Sequence, residues 1–257
     1  LMHQADETEV LLANSVQSFL AQEHSLERLR RIYLGQSACD CALWRQIAEQ
    51  GWLSLRLPET LGGSELSTHH AGAIALEWGR QAVPEPFIAC GVMPSLLAGA
   101  LAVETAAWQP VIEGVRVPPQ ALLARGAAGK SALEAAIQES LLLACGQLNG
   151  LAERALGLTL KYMRTRVQFG KTIGSFQSLQ HLAVDVRIQQ ALARAAWNAA
   201  LQRHARAPES AGTLAAIAAA KARLAAKANE IRGDKTDKAA KGPKTTEAEK
   251  ALKAAQD

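Results

Sequence analysis

The chain has 257 residues, 49% of them hydrophobic and 20% charged, which sets an expectation of one or two domains with a sizeable core and excludes a disordered chain. The net charge of +4 is mild, and it is not laid out among aromatic residues, so a nucleic-acid binder is excluded. Ala and Leu dominate while aromatic residues make up only 4%, a balance that favours helices over sheet.

In chain order, Leu12, Val16, Phe19 and Leu20 form one apolar helix face, and Leu26, Leu29 and Tyr33 continue into a second helix. Asp40 is placed to cap a short helix carrying Leu43, Trp44 and Ile47, with Gly51 at its stop. Pro58 and the pair Gly62-Gly63 make GWLSLRLPETLGGSELS a loop without regular structure. Ser67 or Thr68 starts the next helix, which shows Ala71, Ile74, Ala75 and Trp78 on one side. The run Phe87 to Val103 is uncharged and close to the lower length limit of a membrane span. Pro94 and Ser95 interrupt it, so it reads as two buried segments meeting at a Pro-Ser helix start.

Between about 104 and 130, Pro110, Pro118, Pro119, Gly114, Gly126 and Gly129 break any helix, and only Val111 to Val117 reads as strand. The helical signal returns at Ser131. Leu141, Cys145, Leu148, Ala152, Ala155, Thr159 and Tyr162 make a heptad-like seam with small residues that lets a neighbouring helix approach closely. Gly170 and Gly174 bracket a loop. Ser175 or Ser178 then caps a helix carrying Leu179, Leu182, Val186, Ala193 and Trp197, ended by Pro208. Ala211 to Ala228 is an Ala-rich helix, and the Lys/Ala-rich stretch from Gly233 to Asp257 has too little apolar material to order itself, as expected of a tail.

Cys39, Cys41, Cys90 and Cys145 form neither a CxxC pair nor a disulfide framework, so a reducing, cytoplasmic setting is expected. The opening LMHQADETEV is acidic and polar, unlike a signal peptide. No GxGxxG, Walker loop, HExxH or GxSxG occurs. His69 and His70 are adjacent and point apart on a helix, so they read as a solvated pair and no metal site is expected. His24, His181 and His204 are isolated.

The stretch YMRTRVQFGKTIGSFQ, Tyr162 to Gln177, stands apart. A helix delivers Arg164 and Arg166 to its C-terminal end, Phe169-Gly170 turns the chain, and Phe176-Gln177 opens a helix whose N-terminus suits an anion. This is a receptor for a phosphate-bearing planar cofactor, or else a capped helix–loop–helix corner with surface arginines. The sequence around it resembles the first two C-terminal helices of the acyl-CoA dehydrogenase family, with Gly150, Tyr162, Arg166, Phe169, Gly170, Gln177, Leu182 and Ala183 at the family's spacing. A second block, LWRQIAEQGWLSLRLPETLGGSELSTHHAGAIALEWGRQAVPEP, is similar to the family's N-terminal helical domain through Trp44, Gly51, Pro58, Glu59, Gly62, Gly63, Gly79 and Arg80.

The resemblance implies a mainly α fold. An N-terminal helical domain (1–103) and a C-terminal helical bundle (131–232) would flank a remnant of the middle β domain or a linker (104–130), followed by the tail (233–257). It implies FAD contacts by Arg166 and Gln177, more weakly by Gln168 and Phe169, at a cofactor shared between the subunits of a homo- or hetero-oligomer, a dimer or tetramer. The implied activity is α,β-dehydrogenation of an acyl-CoA thioester by a flavoprotein; the alternatives are a non-catalytic partner subunit completing an FAD site on another chain, and a cofactor-free helical bundle. The chain departs from the family where roughly 100 residues of the middle domain, about one small domain, have no counterpart. No residue matches the family's catalytic glutamate, and Leu141 stands where many members carry a substrate-orienting arginine.

Overall fold

The structure, a computed structural model, describes residues 6–35, 40–101 and 126–207. These residues form seven α-helices, short 3₁₀ and π turns, and one two-stranded hairpin, matching the mainly α expectation. The strand expected over 111–117, the helix over 211–228 and the tail lie outside the described residues.

Side-chain caps set the first helices. Asp6 accepts the Glu9 N–H at 2.8 Å to start α1 (Glu7–Glu23), and Ser25 accepts the Arg28 N–H at 3.2 Å to start α2 (Leu26–Tyr33). Asp40 caps α3 (Cys41–Glu49) as expected, accepting from Ala42 and Leu43 at 3.0 and 3.1 Å. These N–H groups, that of Leu43 above all, hold its carboxyl below the usual carboxylate range. The segment after Gly51 is more regular than its prolines and glycines suggest, with 3₁₀ turns at Trp52–Ser54 and Glu59–Leu61. Such tight turns need only a few residues, and a proline fits at their start.

Helix α4 (Thr68–Arg80) begins after Ser67, whose N–H donates to His70 Nδ1 at 3.2 Å. His70 is therefore a buried capping partner, 3.3 Å from Asp6, and not half of a solvated pair. A π-helical turn (Phe87–Val92) runs straight into α5 (Met93–Leu101), so the helix does not start at Pro94-Ser95. The Ser95 hydroxyl instead bonds to the carbonyls of Leu53 and Gly91. Among the described residues no helix is long and apolar enough to cross a membrane.

The core of the N-terminal half holds Val16, Leu20, Leu43, Ile47, Ile74 and Val92 around an aromatic row. Phe19 meets Trp52 edge-on at 5.3 Å, Trp52 meets Trp78 edge-on at 6.4 Å, and Trp78 stacks on Phe87 at 4.9 Å. The Trp78 indole N–H is satisfied by the Glu85 carbonyl at 3.0 Å.

Helix α6 (Gly126–Thr165) has 40 residues and starts five before Ser131, with Gly126 and Gly129 inside its first turn. Its buried side differs from the expected seam. Cys145 is buried, but Leu148 and Tyr162 are 48% and 57% exposed, while Leu142, Leu143, Gly146, Asn149, Gly150 and Leu156 are covered. The crossing with α4 decides this rotation. A Cβ on Gly79 would lie 1.8 Å from the Gln147 carbonyl oxygen, and one on Gly150 would lie 2.0 Å from that of Leu76. Backbone thus meets backbone where each helix has a glycine, and closeness of contact outweighs burial of Leu148.

Helix α7 (Gln177–Arg206) stops two residues before Pro208. No side chain caps it, so neither Ser175 nor Ser178 takes the expected role; the Phe176 carbonyl receives the N–H groups of Leu179 and Gln180. Its second half is buried through Gln190, Trp197, Ala200, Leu201 and His204, with the Trp197 N–H bonded to the Leu142 carbonyl at 2.9 Å. Leu182 and Val186, expected on the same apolar face, are 60% and 45% exposed.

Candidate functional site

The corner between α6 and α7 is a two-stranded hairpin. Strands β1 (Val167–Gln168) and β2 (Lys171–Thr172) pair antiparallel, with Val167 opposite Thr172 and Gln168 opposite Lys171. Phe169 and Gly170 form the two-residue turn with φ of 53° and 75°. Both values are positive, as the mirror-image turn favoured in tight hairpins requires. Glycine takes that conformation freely, whereas an aromatic residue is strained by about 1 kcal/mol or more. The Phe169 ring is nevertheless 90% exposed.

The hairpin is tied to both helices. The Ile173 N–H donates to the Arg166 carbonyl at 2.8 Å, and the Gln180 side-chain amide donates to the Gly174 carbonyl at 2.8 Å. Phe176 packs edge-on to Phe169 at 6.2 Å, and the Lys171 ammonium sits 4.5 Å above the Phe176 ring. Arg166, Gln168 and Phe169 are thus brought onto one hairpin, and Gln177 follows it as the first residue of α7; all four are exposed. Among the described residues neither Arg166 nor Lys171 is held in an ion pair.

Two charge clusters, one half-buried and one mostly buried, fix the helices that carry this hairpin, and neither was visible in the sequence. In one, Arg80 of α4 donates to Glu153 of α6 at 2.8 and 2.6 Å and also to Glu77. Glu153 accepts in turn from Arg194 and Gln190 of α7, each at 3.1 Å. Burial works against the charge on both arginines. The bonds from Glu153 and Glu77 outweigh it at Arg80, whose pKa rises, whereas burial wins at Arg194, whose pKa falls. In the other, Arg56 donates to Glu139 of α6 at 2.6 and 3.1 Å, and His204 of α7 lies 3.3 Å from the same carboxylate. His204 is therefore not isolated. The only signal available was Arg80, one of the positions similar to the family's N-terminal helical domain.

Two clefts lie beside the first cluster, about 540 Å³ between α1, α4 and α7 and about 510 Å³ between α1, α4 and α6. Neither is lined by Arg166, Gln168, Phe169 or Gln177. Among the described residues no group of three His, Cys, Asp or Glu is arranged to hold a metal ion.

Comparison with known proteins decides the family. The N-terminal domain of acyl-CoA dehydrogenases matches residues 6–106, and their C-terminal domain matches residues 127–235. This chain belongs to the acyl-CoA dehydrogenase family. It is similar to the acyl-CoA dehydrogenase IpdE2 of Mycobacterium tuberculosis, with 28% identity over 86% of this chain and 83% of that protein. Among solved structures, one chain of the ChsE4-ChsE5 complex from Mycobacterium tuberculosis shares the fold with a TM-score of 0.68 and 22% identity, over 86% of this chain and 85% of that one. Apo-form PigA shares it with a TM-score of 0.70 and 16% identity, over 87% and 85%. The two family matches leave residues 107–126 unmatched.

Proposed function

We propose that this chain is an oxidoreductase subunit acting in FAD-dependent α,β-dehydrogenation of an acyl-CoA thioester, with Arg166, Gln168, Phe169 and Gln177 contacting an FAD site that a second chain completes. The observation that carries this reading is Phe169, a strained and 90% exposed ring at the tip of a pinned hairpin. Strain of this kind persists where a ligand or partner gives it a use.

The residues present fit one side of a flavin nucleotide. Arg166 supplies a guanidinium suited to phosphate, Gln168 and Gln177 supply amides, and Phe169 supplies a flat apolar surface. Its other side has no counterpart in the two clefts, which do not reach the hairpin. This favours a site shared between chains, of the same or of different sequence, over a pocket within one chain. When bound, FAD supplies the hydride acceptor that the side chains lack. The hairpin's share is to bind and orient it. We assign no base for the α-proton in this chain; Glu77, buried beside the clefts, accepts from Arg80 through one of its two carboxylate oxygens.

Flavin-loaded protein, purified alone and with a co-expressed second chain, is to be mixed anaerobically with a series of acyl-CoA thioesters. Bleaching of the visible flavin band together with formation of a 2-enoyl-CoA is the expected result. Bound flavin that no acyl-CoA reduces contradicts the dehydrogenation, and flavin retained by neither preparation contradicts the cofactor site as well.

A further inference from the structure

Between Glu153 and Asp185 the chain carries five cations, Arg154, Lys161, Arg164, Arg166 and Lys171, and no anion. A single-sign run of this length at one end of a helix pair creates a field that attracts an anionic ligand. Within it Lys171 is set apart by geometry. It lies opposite Gln168 in the hairpin register, so their side chains leave the same face of the ribbon. Its ammonium is held 4.5 Å above the Phe176 ring, the ring that also supports Phe169 edge-on. Among the described residues it meets no carboxylate. An exposed lysine ordinarily ranges over many rotamers and loses that freedom when it is fixed. A cation–π contact reduces that loss before any ligand arrives.

We infer that Lys171 is a further ligand-positioning residue, acting with Arg166 as the second cation for the diphosphate of the cofactor, and that Phe176 holds its ammonium in place for that contact. The inference rests on the flavin reading above and deepens it, because it assigns this face of the hairpin to the phosphates and not to the isoalloxazine ring. The two cations divide the work. Arg166 leaves the chain at the base of the hairpin and presents a planar fork, whereas Lys171 contributes a point charge from the second strand. FAD should therefore be preferred over riboflavin, which has the same ring system and no phosphate.

The test is a titration of apo-protein, in whichever preparation retains flavin, with FAD and with riboflavin, followed by quenching of flavin fluorescence at low and high potassium chloride. Lys171→Met should weaken FAD binding about tenfold at low salt. It should flatten the salt dependence and leave riboflavin binding unchanged. Lys171→Arg should restore most of the loss. Equal FAD affinity in Lys171→Met and the parent overturns the role of Lys171 while leaving the flavin reading intact. Equal weakening for FAD and riboflavin also overturns it, by showing that the lysine only supports the ring surface. A parent protein that binds neither flavin overturns this inference and the reading beneath it together.

Discussion

Gly150→Ala is expected to lower the melting temperature by roughly 10 °C, through an overpacking cost of about 3 kcal/mol. The added methyl would sit 2.0 Å from the Leu76 carbonyl oxygen and 2.8 Å from the Arg80 nitrogen. Both are backbone atoms of α4, so no side-chain tip can swing aside, and the two helices must separate along their length. Separation would also pull Arg80 away from Glu153, the carboxylate that ties α4 to α6 and α7. Gly157 is the control. It lies on the same helix with nothing within 4 Å of an added Cβ, so Gly157→Ala should be neutral or stabilise by roughly 0.5–1 kcal/mol. Thermal melts followed by circular dichroism separate the two; a Gly150→Ala protein that melts with the parent would show that α4 and α6 do not cross backbone to backbone.

Glu139→Ala is expected to cost about 3–5 kcal/mol, because it strands Arg56 with its charge inside the protein. The Glu139 side chain is only 6% exposed and that of Arg56 20%. Burial raises the pKa of the Glu139 carboxyl, but the bonds from His204 and Arg56 outweigh it and hold the carboxyl below the usual carboxylate range. The sign of the pH dependence follows. A carboxyl depressed in the folded state stabilises fully above its unfolded pKa, and that stability is lost as pH falls through the folded value. Urea melts of the parent and of Glu139→Gln should differ most at neutral pH and converge on acidification below the ordinary carboxylate range. A gap that stays constant down that range would show that the charge on Glu139 contributes nothing to the fold.

The features that were legible in the sequence are local ones. Asp40 and Gly51 bound α3 as their side-chain and backbone chemistry dictates, and Phe169-Gly170 turns the chain with its glycine at a positive φ. The family was legible too, because the glycines and arginines that carry it sit at fixed spacings within those local units. The features that were hidden depend on distant partners. Leu148 follows an apolar period, yet it lies open, because Gly79 and Gly150 set which side of α6 meets α4. His204 and Glu139 are 65 positions apart, and nothing local to either marks the pair. His70 looks like one of two surface histidines until Ser67 and Asp6 close around it. Arg166, Gln168, Phe169 and Gln177 were singled out through the family resemblance, whereas Lys171 became visible only once Phe176 was seen beneath its ammonium.

The most direct measurement is the flavin-to-protein ratio of Arg166→Ala beside the parent, both purified with the same second chain and both checked by thermal melt. Arg166 is exposed at the hairpin base, so the melting temperature should not change. The account predicts an unchanged melt with most of the flavin lost. Equal flavin content in the two proteins would contradict it and leave the hairpin as a structural corner.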